Sequence, residues 1–328
     1  MREAPSGGMV PAATLTEPPR TTGQQPGGGA RREAGRRRRR GTSGHRLLPL
    51  VPAVLLLLSF FAGPILWTVW ASFTNAALTG AAAAHTEFIG TANFQRLLSD
   101  PSFLNATALT ALFLVGSGII GQTALGLTLA LLMQNRGAVV RMAVGGVVVG
   151  AWVVPEVVAG FVWVAFLERE GTLNGLLAGI GAAPQNWLYT APMLAVVLAN
   201  TWKGTAFSMM TYAAGLAEIP DGLKEAARVD GAGPFQVVWH VVLPLLRRTL
   251  ATTLLLVTLQ TVQVFTLIYV MTAGGPAERS TTLPLLMYRD ALRFGELGYG
   301  TTVALALLVV AGLFSVLYVR ALRPEEVR

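Results

Sequence analysis

The sequence predicts an all-α integral membrane protein, a bundle of six transmembrane helices, from three observations. Hydrophobic residues make up 53% of the chain and charged residues only 13%, about half the charged share of an ordinary soluble domain. Six segments, about 47 to 74, 104 to 133, 141 to 166, 191 to 214, 249 to 273 and 300 to 320, each supply the roughly 20 apolar residues that a hydrocarbon core demands of one helix. Basic residues fall unevenly between the loops that these segments define.

Residues 1 to 44 are rich in Gly, Pro, Thr and Arg and nearly empty of large apolar side chains. Such a segment cannot bury enough surface to offset the entropy of ordering, so a disordered basic tail is expected. Ten arginines in the first 46 residues face only Glu3, Glu17 and Glu33. The run Arg36 to Arg40 would suit a nucleic acid in a soluble protein, but it directly precedes the first span, where it sets orientation and argues for no nucleic-acid partner. That span is too long for a signal-peptide core and lacks a small-x-small cleavage site, so it is expected to be retained. The membrane domain runs over 45–322, with a short cytoplasmic tail at 323–328.

With the N-terminus inside, the cytoplasmic side takes the ten tail arginines, Arg136, Arg141, Lys224, Arg228, Arg247, Arg248, Arg320, Arg323 and Arg328. The outer loops take Arg96, Arg169, Arg279, Arg289 and Arg293. Both termini are therefore expected in the cytoplasm, on a multi-pass protein of the cell membrane. Pro49, Pro52 and Pro64 in span one and Pro155 in span three each remove a helical hydrogen bond and should bend their helices.

Several chemistries are excluded or disfavoured. There is no cysteine, which removes disulfides and thiolate chemistry. His45, His85 and His240 fall in different loops without metal-ligand spacing, so no metal site is expected. The only lysines, Lys203 and Lys224, follow Trp202 and Leu223 rather than the glycine of a P-loop, so the chain itself should not hydrolyse ATP. The absence of an evident internal repeat argues against inverted-repeat secondary transporters.

The connection over 217–246 between spans four and five is polar and glycine-punctuated: Glu225-Ala226-Ala227-Arg228-Val229-Asp230-Gly231-Ala232-Gly233, then Leu243-Pro244. Pro220 suits the first turn of a helix, Gly231 suits its left-handed end, and Gly233-Pro234 restarts the chain. Small Ala226 and Ala227 beside Glu225 and Arg228 would let another surface approach the backbone while charges set register. In the second helix Phe235, Val238, Trp239, Val242 and Leu243 repeat at helical spacing, predicting one apolar face against the bundle. Pro244 is expected to mark a bend into span five.

This pattern resembles the coupling loop of bacterial ABC-importer permeases, within them the carbohydrate group of the maltose and glycerol-phosphate type. Similar stretches are Phe88-Ile89-Gly90 with Asn93-Phe94, Trp202-Lys203-Gly204 with Phe207, Ala214-Gly215-Leu216 with Ile219-Pro220, and Thr272-Ala273-Gly274-Gly275-Pro276. The last looks like the first of the two permeases such systems encode. The resemblance implies the type I permease fold with a cytoplasmic coupling helix. It also implies a second homologous permease, two ATP-binding subunits, an extracellular or periplasmic solute-binding protein and a carbohydrate cargo. No cofactor would be bound by this chain, ATP and Mg being used by the partner ATPase. The coupling positions carried over are Glu225, Ala226, Ala227, Gly231, Leu243 and Pro244. The long basic tail departs from the common pattern, and contact with anionic lipid is its expected role.

Polar residues within spans mark a substrate path or interhelical bonding. Asn200, Trp202, Gln260 and Gln263 offer the amides and aromatic faces that sugars use, and interhelical hydrogen bonding is the alternative. Lys203, alone in a span, needs a partner or water, and Glu156 is the candidate. Leu283 to Phe294 suggests an amphipathic surface helix outside. Rival readings are a permease for another solute class, an ion-driven secondary transporter using Lys203 and Glu156, and a membrane scaffold.

Overall fold

The computed structural model describes residues 50–322. By compactness the chain divides after Val54, and the helical bundle is the unit from Leu55 onward. Among the described residues the structure is helical, with no strand beyond one isolated bridge between Thr74 and Phe88. Four helices among the described residues are long and apolar enough to cross a membrane: α1 (Val51–Ser72), α3 (Pro101–Gln134), α8 (Pro234–Val262) and α11 (Leu297–Leu322). A short α2 (Ala92–Ser99) precedes α3.

A bent pair, α4 (Ala138–Val153) and the run Glu156–Ala178 that begins with α5 (Glu156–Leu167), supplies a fifth candidate crossing, turned by 106° at the break. The bend expected at Pro155 is present, because proline leaves no N–H for the preceding turn and disfavours helix at Val154. The helix α6 (Pro192–Ala217) has 26 residues, about 39 Å at the helical rise. Asn200 and Lys203 make it less apolar than the others. Span five breaks at Gln263, resuming as α9 (Thr266–Thr272).

The helix α6 lies at the centre, with α3 against one side and α8 against another. Small residues make that closeness possible: a Cβ on Gly126 would stand 2.5 Å from Ser208 Cβ and 2.9 Å from Met209 N. Dispersion and backbone proximity hold such interfaces, since lipid supplies no hydrophobic drive between helices. By contrast, the most apolar stretch of α1 contains no buried residue, leaving its Leu, Phe and Trp side chains outward.

Two buried clusters matter for the site. One joins Phe113, Ala159, Val196, Leu267 and Ile268, tying α5 and α9, the helices beyond the two breaks, to α3 and α6. The other joins Tyr212, Leu216, Ile219, Val237, Val242 and Leu246, at the opposite ends of α6 and α8.

The segment expected as a surface helix outside is a correction. Leu283–Tyr288, here α10, buries Leu283, Leu285 and Leu286, and the next turn buries Asp290. Its apolar residues pack with Leu97, Ala106 and Val303 instead of facing an interface. Arg289 pairs with Glu278 and donates through Nε to Asp290 Oδ1 at 3.1 Å. Burial pushes the Asp290 carboxyl above the usual range, with Arg289 pulling it back and Asp100 and Glu296 adding to the rise.

Candidate functional site

The 217–246 connection folds as a helical hairpin. Its first arm, α7 (Asp221–Val229), begins after Pro220 and ends where Asp230 N bonds Ala226 O at 3.0 Å and Ala232 N bonds Ala227 O at 2.9 Å. Gly231, at φ 86°, takes the left-handed conformation that this closure requires. Gly233 N then donates to Gln236 Oε1 at 2.8 Å, which closes the start of the second arm.

One face of α7 is outward. Gly222, Glu225, Ala226 and Val229 recur at i, i+3, i+4 and i+7 and are all exposed, Val229 by 87%. The inward face carries buried Lys224 and half-buried Ala227. Around the tip, a recess of about 410 Å³ lies between Ala227, Asp230, Gly231, Gln236 and His240.

The second arm corrects two expectations. It is not a separate helix: residues 234–262 run on as α8, with a π-helical turn at Val238–Val242. Wider winding there re-pairs the backbone just before the proline, so the helix runs through Pro244 without a break. The same widening shifts the face. Val237 and Val242 are buried, while Phe235 and Trp239 are 76% and 59% exposed and stack on each other with centroids 6.1 Å apart. Leu243 is half-buried and Pro244 exposed.

The hairpin is continuous with the core, since Ile219, Val237 and Val242 share one buried cluster with Tyr212, Leu216 and Leu246. The base of the hairpin and the adjoining ends of α6 and α8 are thereby one packed body.

The polar residues inside the spans separate into two groups. Asn200 is buried and donates to Ser117 Oγ at 2.8 Å, while Gln122 Nε2 donates to Asn200 O at 3.2 Å. Its amide serves interhelical bonding. Trp202 is 37% exposed and meets Trp163 edge-to-face at 6.1 Å. Gln260 and Gln263 are exposed, Gln263 at the break of span five. Among the described residues, no hydrogen bond joins these glutamines to Asn200 or Trp202.

Lys203 does not pair with Glu156 among the described ion pairs. Its Nζ donates to Val154 O at 2.6 Å and Trp152 O at 3.2 Å, closing the end of α4. Carbonyls freed at a break, with the negative end of a helix dipole behind them, are as good a partner for an ammonium as a carboxylate. Sequence reasoning missed Asn174. It donates to Glu168 O and Gln185 O and accepts from Trp187 Nε1, knotting the loop after α5.

The family model described as "Binding-protein-dependent transport system inner membrane component" matches residues 122–325, more than half of the chain. The trehalose/maltose transport system permease protein MalF of Thermococcus litoralis is 32% identical over 276 residues, 83% of this chain and 92% of that one. The sulfoquinovosyl glycerol transport system permease protein SmoG of Agrobacterium fabrum is 31% identical over 86% of this chain and 92% of its own. A solved chain from a bacterial alginate ABC transporter, in complex with an alginate pentasaccharide-bound periplasmic protein, superposes with a TM-score of 0.71 at 22% identity. That match covers 84% of this chain and 92% of the solved one.

Proposed function

The chain belongs to the family of binding-protein-dependent transport system inner membrane components, and from that premise we propose that it is a transmembrane permease subunit of an ATP-driven importer of a sugar or related carbohydrate. Counting the bent pair once and adding α6 to the four clear spans makes six crossings, with both termini and the α7 hairpin in the cytoplasm. The proposed complex pairs the chain with a second homologous permease and two ATP-binding subunits, and a solute-binding protein outside delivers the cargo. This chain contributes no catalysis and binds no cofactor; the partner ATPase uses ATP and Mg.

The observation that carries the reading is the mounting of the hairpin. An exposed face with Glu225, Ala226 and Val229 stands on a cluster that also holds α6 and α8. Closure of ATP-binding subunits against that face would rotate these two helices as a rigid body, which is how alternating access opens a central path to one side at a time. Glu225 and Arg228 set register by charge, and Ala226 allows close backbone approach. Ala227 anchors the helix inward and Gly231 fixes the turn, while Leu243 and Pro244 carry the motion into span five. The substrate path is proposed along Trp202, Gln260 and Gln263, beside the two broken spans, where irregular backbone is tolerated because it lines protein or water. Asn200 contributes there by holding α6 to α3.

The test is uptake into proteoliposomes holding this chain with its partner subunits. The reading predicts sugar accumulation that needs ATP and the binding protein together. Accumulation driven by an ion gradient without ATP would favour a secondary transporter instead.

A further inference from the structure

At the end of the bundle that carries the hairpin, a cavity of about 400 Å³ opens between the end of α3, the start of α4, the end of α6 and α7. That volume is within the range of small-molecule sites. Its lining is divided. Met133, Met209 and Leu216 line it as an apolar wall, while Arg141 and Lys224 bring two cations against the single carboxylate of Asp221.

Lys224 is the anomaly. Its side chain is only 9% exposed, yet its one partner among the described residues is Asp221, at 3.1 Å and itself 86% exposed. An ammonium has three donors and is costly to bury with one solvated acceptor. Arg141 forms no ion pair among the described residues and adds a planar fork that suits phosphate oxygens. Together they form a half-built anion site.

We infer that this cavity binds the phosphate headgroup of an anionic membrane lipid, with Arg141 and Lys224 as the ligands. A free phosphate ester would use the same two cations, but it has no use for the wall of Met133, Met209 and Leu216. A lipid has: its glycerol and upper acyl chain lie against that wall while the phosphate meets the charges. The site is at the ends of spanning helices, the depth at which headgroups are found, and basic pockets between such helices are the recognised setting for them. Because α7 forms one side, the bound lipid would brace the docking helix from behind. The inference needs the chain to be membrane-inserted as proposed above, and it does not depend on what is transported.

The test uses the assembled complex in phosphatidylcholine nanodiscs doped with phosphatidylglycerol, washed in neutral detergent, with retained lipid measured by mass spectrometry. Selective retention of phosphatidylglycerol is expected. Arg141→Gln and Lys224→Gln should each lower it about tenfold or more, while Arg248→Gln, exposed at the same end, leaves it unchanged. Arg141 is exposed on α4, so its variant folds even where Lys224→Gln does not. Equal retention in wild type and Arg141→Gln would overturn the inference, as would displacement of the lipid by soluble glycerol 3-phosphate. Failure of uptake with retention intact would count against the importer reading alone.

Discussion

Lys203 Nζ donates to Val154 O at 2.6 Å, so a cation on α6 satisfies the chain where α4 stops and α5 turns away. The lysine is a latch on a broken span. Lys203→Met would leave the carbonyls of Val154 and Trp152 unpaired, at a cost of about 1–3 kcal/mol. The expected result is a melting temperature lowered by a few degrees in detergent, with Glu156→Gln nearly silent. Equal destabilisation by both variants would restore the ion pair that the geometry does not show.

Gly126 is where α3 and α6 come closest, and the obstacle to a side chain there is partly backbone, Met209 N at 2.9 Å. Gly126→Val should force the helices apart and destabilise by about 1–3 kcal/mol. Gly145→Val, with nothing near its Cβ position, is the control, and both are read by thermal unfolding.

Asp290, in the turn after α10, gives the fold a pH dependence of definite sign. Burial raises its carboxyl pKa against the pull of Arg289, so the folded protein holds that proton more tightly than the unfolded chain. The contribution is fully present below the ordinary carboxylate value of about 4 and is lost as pH rises through the raised one. Melting temperature measured against pH should show this decline in wild type relative to Asp290→Asn, whose own curve lacks it.

Phe235 and Trp239 stack on the outside of the hairpin. Replacing both with Ala should change melting temperature little, because neither is in the buried cluster, yet it should weaken assembly with the partner subunits in pull-down. Strong unfolding instead would mean that the pair packs inward.

The hairpin was legible because its signals are local. Pro220, Gly231 and Gly233-Pro234 place its starts and its turn wherever the rest of the chain lies. Asn93 was legible only as part of a motif; the structure gives it a task, donating at 2.9 Å to both Ser72 O and Thr74 O at the end of α1. What could not be read was the phase of α8, because a π-helical turn breaks the 3.6-residue count that placed Phe235 and Trp239 inside. Lys203 was opaque for a different reason: charge suggests a carboxylate, and only the fold reveals two unpaired carbonyls within reach. Leu283 to Phe294 has amphipathic spacing, but its apolar side meets α11 and α3, a neighbourhood set by contacts far apart in sequence.

The central claim is that the outward face of α7 transmits partner closure to α6 and α8. Its most direct test is binding-protein-stimulated ATPase activity of the reconstituted complex, comparing wild type with Glu225→Ala and Gly231→Trp. The account predicts that both variants keep the helical bundle, Gly231→Trp straining only the exposed turn at φ 86°, and that both lose assembly or stimulated hydrolysis. Undiminished assembly and stimulation in both would contradict it.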